Sequence, residues 1–123
     1  MHNETGIKHE SDQMKVRITN NRIRLRLSPE GVEALARGDG LETHIDSGAG
    51  GKLGFYLTSE STIDEISLAL DRGILQIAVP EQVVTTWADT DQVGIEGLVS
   101  TVEGNSVGVL IEKDLRCEHA KRS

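Results

Sequence analysis

The chain has 123 residues, 37% hydrophobic and 27% charged, enough for one modest core and unlike a disordered segment. One Phe, one Tyr and one Trp leave the packing to Val, Ile and Leu, and a net charge of −7 argues against general nucleic-acid binding. A single cysteine, Cys117, excludes an internal disulfide, and no apolar run is long enough for a secretion signal or a membrane span, so the expected setting is the cytoplasm, with no membrane partner.

Residues 1–13 are polar and read as a disordered tail before a β-rich domain over 14–115; Met14 is a second candidate start. From Met14 the pattern alternates. Met14, Val16 and Ile18 are apolar between Lys15, Arg17 and Thr19, Asn20-Asn21 signals a turn, and Ile23, Leu25 and Leu27 alternate with Arg22, Arg24 and Arg26. This is a hairpin with one dry face and one charged face. Ser28-Pro29-Glu30 opens a helix, with Ser28 as N-cap, Pro29 at the first helical position and an acid at the positive end of the dipole. Val32, Leu35 and Ala36 supply its apolar face, and Gly38 and Gly40 end it.

Two strands follow, around Leu41, Thr43 and Ile45 and around Leu53, Phe55 and Leu57, joined by the flexible Ser47–Gly51 loop. The order then recurs. Ile66, Leu68 and Leu70 form a strand, Asp71-Arg72-Gly73 a turn, and Leu75, Ile77 and Val79 a second strand. Pro80-Glu81 opens a second helix with Val83, Val84 and Trp87 apolar, Trp87 being a core anchor. Val93, Ile95, Gly97 and Val99 lead through a turn at Glu103-Gly104-Asn105 to Val107, Val109 and Ile111. Pro29 and Pro80, Glu30 and Glu81, and Val32 and Val83 all differ by 51. The expected fold is therefore α+β and mostly β: a duplicated strand–strand–helix–strand–strand unit, giving a curved sheet or open barrel of eight strands with two short helices. Residues 116–123 read as a loose tail.

The basic ribbon departs furthest from an ordinary surface. Residues 14–27 carry Lys15, Arg17, Arg22, Arg24 and Arg26 and no acid, so a net +5 there leaves −12 for the rest. Arginine forks suit phosphate and carboxylate, whereas a plain solvated face would pair them with acids such as Glu42 or Asp46. Glu96 lies on the polar face of its strand, and Glu112-Lys113-Asp114 ends the last one. The candidate ligand-binding residues are thus Arg22, Arg24, Arg26, Glu96, Glu112 and Lys113, for an anionic small molecule. Were every polar face lumenal, Glu42 and His44 would join them in a tunnel for phosphate or polyphosphate, with a metal-dependent phosphohydrolase as one form. That arrangement resembles the triphosphate tunnel enzymes, but their glutamate-x-glutamate signature is replaced here by Lys15-Val16-Arg17.

Other features carry less. Cys117 and His119 are two ligands where a structural zinc site needs four, the Gly48–Gly51 loop lacks the Lys-Ser/Thr of a phosphate loop, and no serine sits in a nucleophile elbow. No metal, cofactor or catalytic group is therefore assigned.

Three blocks, MKVRITNNRIRLRLSPEGVEAL, WADTDQVGIEG and VLIEKDLRC, resemble a family of small uncharacterised bacterial proteins, a domain of unknown function. The resemblance spans 14–117, includes Arg24, Glu96, Glu112, Lys113 and Cys117, and implies a stand-alone domain with no activity to transfer. After Cys117 the short basic tail differs from the acidic, proline-containing segment of relatives. The reading that emerges is a non-catalytic binding or assembly module of the bacterial cytoplasm, able to form a homo-oligomer through its edge strands. The phosphate tunnel is one alternative, and an anion-binding accessory protein that carries the arginine ribbon on its outside is another.

Overall fold

The structure, a computed structural model, describes residues 13–46, 48 and 51–114. Residues 1–12 of the expected N-terminal tail, together with Cys117 and His119, lie outside the described residues. In chain order the elements are β1 (Met14–Thr19), β2 (Arg22–Leu27), α1 (Pro29–Arg37), β3 (Leu41–Asp46), β4 (Lys52–Glu60), β5 (Ser67–Asp71), β6 (Ile74–Pro80), α2 (Glu81–Asp89), β7 (Gly94–Ser100) and β8 (Ser106–Lys113). Among the described residues this is the mostly-β α+β arrangement with eight strands and two helices that the alternation implies. The strands form two four-stranded sheets, ordered β1-β2-β8-β7 and β3-β4-β6-β5, and they do not close into a barrel.

Each sheet takes a hairpin from each half of the chain. β1 and β2 are antiparallel neighbours, β7 and β8 likewise, and the two hairpins join through the parallel pair β2 and β8. In the other sheet β3–β4 and β5–β6 join through the parallel pair β4 and β6. Exchanging the halves converts one sheet order into the other, so the duplication relates the two sheets.

The halves superpose in sequence at an offset of 52 rather than 51. The turn residues Asn20 and Asn21 correspond to Arg72 and Gly73, all four at positive φ as a tight hairpin turn requires. Leu25 and Leu27 correspond to Ile77 and Val79, all four fully buried. An offset of 51 would set Leu25 against exposed Gln76, because a one-residue slip turns every side chain of a strand to the other face. The helices begin at Pro29 and Glu81 and bury Val32 with Leu35 and Val84 with Trp87. Two extra residues after α2 raise the offset to 54, so that Leu57 matches Ile111 and Gly54 matches Gly108. Gly54 N–H donates to Gly73 O and Gly108 N–H to Asn21 O, each at 2.8 Å, and these pairs are equivalent.

Ser28 caps α1 by accepting from Gly31 N–H at 3.1 Å, and Gly38, at φ 99°, closes it in the left-handed conformation. The helix buries Gly31, Val32, Ala34 and Leu35. Ala36, expected on that face, is exposed, because the face turned to the core runs through Ala34. In α2, Val84 and Trp87 point inward while Val83 is 36% exposed. The two helices and the inner rows of both sheets meet in one core around Trp87, whose Nε1–H donates to Val93 O at 2.9 Å. A buried indole N–H without such a partner would cost roughly 1–3 kcal/mol. Among the described residues no helix is long and apolar enough to cross a membrane.

Candidate anion-binding face

Strand alternation sends Leu25 and its row inward and the arginine row outward. Register then sets the outer face of the first sheet as a grid. One row across the strands reads Thr19, Arg22, Gly108, Leu98; the next reads Arg17, Arg24, Leu110, Glu96; the third reads Lys15, Arg26, Glu112, Gly94. The arginines therefore face solvent on a sheet. Among the described residues no barrel closes around them, and Glu42 and His44 lie on the other sheet, so the arrangement is not the expected lumenal tunnel.

The first two rows line a groove of about 640 Å³. Its middle is low because Gly108 has no side chain between Arg22 and Leu98. A Cβ there would sit 3.6 Å from Arg22 Cγ and 3.9 Å from Leu98 Cδ2, inside the groove. Beside it, a hollow of about 160 Å³ is lined by Lys15, Arg17, Arg24 and Arg26 with Val16, and by no acid. The Arg17–Arg24 pair is common to both.

Charge on this face is only partly compensated. Arg24 Nε lies 2.9 Å from Glu112 Oε1 and Arg26 Nη2 lies 3.5 Å from the same oxygen, so one carboxylate serves two guanidiniums. The expected partners Glu42 and Asp46 belong to the second sheet. Among the described residues no carboxylate comes within ion-pair distance of Lys15, Arg17 or Arg22. Arg17 is directly opposite Arg24, and Lys15 opposite Arg26. Like charges facing across strands are unfavourable. At about 7 Å in water each such pair costs roughly 0.6 kcal/mol, small enough to be tolerated and large enough not to be neutral.

The duplication supplies an internal comparison. At the offset of 52, Lys15, Arg17, Arg22, Arg24 and Arg26 correspond to Ser67, Ala69, Ile74, Gln76 and Ala78. The second half makes the same hairpin with no cation at any of the five positions. The fold therefore does not need the ribbon, and its partner carboxylate is equally local, Glu112 corresponding to Thr58.

Of the residues singled out in the sequence, Arg22, Arg24, Arg26, Glu96 and Glu112 share this face. Lys113 does not. It lies one residue beyond Glu112, on the other side of the strand, where its Nζ donates to Thr90 O at 2.7 Å and lies 5.8 Å from the centre of the Trp87 ring. Thr19, Leu98, Gly108 and Leu110 are the additions. Alternation along β7 and β8 already puts Leu98 beside Glu96 and Leu110 beside Glu112, but only the parallel register of β2 on β8 brings them to the arginines. Among the described residues no three His, Cys, Asp or Glu side chains gather as a metal-binding group.

A family model described as a family of unknown function (DUF7009) matches residues 14–123, which include all the strands and helices labelled above. No curated protein is similar enough to count as a match.

Proposed function

The chain belongs to DUF7009, a family of unknown function, and from its geometry we propose that it is a non-catalytic binding module whose outer β1-β2-β8-β7 face holds a phosphate-bearing anion. One observation carries this: five cations stand in adjacent rows, Arg17, Arg22 and Arg24 lining the groove and Lys15 and Arg26 the hollow beside it, with one carboxylate shared by two of them, at positions where the second half of the same fold has none. Guanidiniums arrayed about 7 Å apart along a strand offer forked donors to phosphate oxygens. Glu112 accepts from both Arg24 and Arg26 and so restrains their guanidiniums, which lowers the ordering cost of binding. The groove lies within the size range of small-ligand sites. The side chains lining it are guanidiniums, the Thr19 hydroxyl, the Glu96 carboxylate and apolar groups, a set that binds and supplies no activated nucleophile.

The test is thermal unfolding with millimolar tripolyphosphate at constant ionic strength. The wild-type melting temperature should rise by several degrees, and an Arg24→Gln/Arg26→Gln variant should keep its fold by circular dichroism while losing the rise. An unmoved wild-type midpoint, or an equal rise in the variant, would end the proposal.

A further inference from the structure

The groove is not uniformly cationic, and its composition says more about the anion. Its far side, away from β1, presents the Glu96 carboxylate with Leu98 and Leu110, and Leu98 is 75% exposed. A simple polyphosphate lying along the groove would meet Glu96, a like charge, and would leave the leucines wet. The all-cationic hollow lies on the opposite side of Arg17 and Arg24. One side of the site thus suits phosphates, and the other suits a body with hydrogen-bond donors and a flat apolar surface.

We infer that the ligand is a nucleoside polyphosphate: its phosphates lie on Arg17, Arg24 and the Lys15–Arg26 hollow, its sugar hydroxyls donate to Glu96, and its base covers Leu98 and Leu110 above Gly108. This rests on the anion-binding reading above and specifies its ligand class. Charge supports it. The five cations less Glu112 and Glu96 leave +3 on the face, which a nucleoside diphosphate at neutral pH nearly balances. Shape supports it too. Gly108 is the one position in the two rows without a Cβ, and it lies at the centre, where a planar ring needs depth.

Two substitutions separate the base and sugar end from the phosphate end. Glu96→Gln removes an exposed carboxylate. Gly108→Val fills the floor, and its Cβ meets only side-chain atoms at ordinary contact distance in a strand that favours branched residues. Calorimetric titration of the whole chain with ADP, tripolyphosphate and adenosine, at fixed ionic strength, reads both ends. ADP should bind at least tenfold more tightly than tripolyphosphate, and adenosine should give no measurable heat. Glu96→Gln should weaken ADP several-fold and strengthen tripolyphosphate, because it replaces a charged two-oxygen acceptor for the sugar hydroxyls by a neutral one-oxygen amide and removes a repulsive charge together. Gly108→Val should weaken ADP alone; should it fail to fold, the opposite signs of Glu96→Gln still decide. Tripolyphosphate binding as tightly as ADP, or Glu96→Gln shifting both ligands in the same direction, overturns the nucleoside assignment and leaves the anion face standing. Binding of neither phosphate compound removes both.

Discussion

Gly31 shows how a single missing carbon can hold the entrance of a helix. A Cβ at this position would come 2.5 Å from Gln13 O and 3.4 Å from Leu27 Cβ. That carbonyl cannot easily move, because it accepts from Ser28 N–H at 3.1 Å, and the Ser28 side chain is itself engaged as the cap. Alanine normally stabilises a helix relative to glycine by about 1 kcal/mol. Here a backbone overlap opposes it, and overpacking costs about 1–3 kcal/mol. Gly31→Ala should therefore lower stability by up to about 2 kcal/mol, read as a lower urea midpoint with unchanged slope; a higher midpoint would show that Gln13 yields. Glu112 poses the electrostatic counterpart. Glu112→Gln leaves Arg24 and Arg26 beside Lys15 and Arg17 with no carboxylate at hand. Its loss should be about 1 kcal/mol in dilute buffer and should shrink by half or more in 0.5 M salt, because a part-exposed pair is screened. A loss independent of salt would mean that Glu112 acts through packing.

At the scale of elements, the two hairpin turns share one geometry with different chemistry. Asn20 and Asn21 adopt φ 28° and 58°, and Arg72 and Gly73 adopt φ 54° and 82°. Asparagine tolerates the left-handed region because its short amide bonds locally; arginine does not, at a cost of roughly 1 kcal/mol. Arg72→Asn should therefore raise stability by about 0.5–1 kcal/mol, measured by denaturant unfolding, and an unchanged midpoint would place that strain elsewhere. Gly73→Ala should do the reverse, since its Cβ would stand 2.8 Å from Lys52 O in a left-handed backbone. These turns, the alternating rows and the Ser28 cap were legible in the sequence because each is a local signal, read within a few residues. What was not legible is nonlocal. The pairing of Arg22 with Gly108 and of Gly54 with Ile74 joins one half of the chain to the other and leaves no periodic trace. That is why the arginine row could be identified while its groove, with Leu98 and Leu110, could not, and why Glu42 stood as a candidate partner for arginines on the other sheet. The offset of the duplication failed for a related reason. Pro29 is the first residue of α1 and Pro80 the cap of α2, so identical residues hold adjacent roles and draw the alignment one place off.

The whole molecule follows from where the parallel pairs fall. β2 and β4 are inner strands of the first half, and each finds its second neighbour, β8 or β6, only in the other half. Without that half, β2 and β4 each become an open edge, and Leu25, Leu27 and Leu57, all fully buried, lose the facing rows of Ile77, Val79 and Ile111. A two-stranded hairpin is marginal alone in water, and burying a side chain of this kind contributes about 1.5–3 kcal/mol. Three such residues thus represent about 5–9 kcal/mol, comparable with the entire stability of a small domain. Fragments 14–60 and 61–114 should accordingly each be unfolded by circular dichroism and by amide proton dispersion, whereas an equimolar mixture should regain the strand signal and the protected Trp87 indole. The mixture should fold cooperatively, because the parallel pairs, the helix contact and the core all form across the same division. Independent folding of either fragment as a monomer would show that one half can satisfy its own edges. The duplicated unit would then be a domain in its own right, and the shared interior would not be what holds the two sheets together.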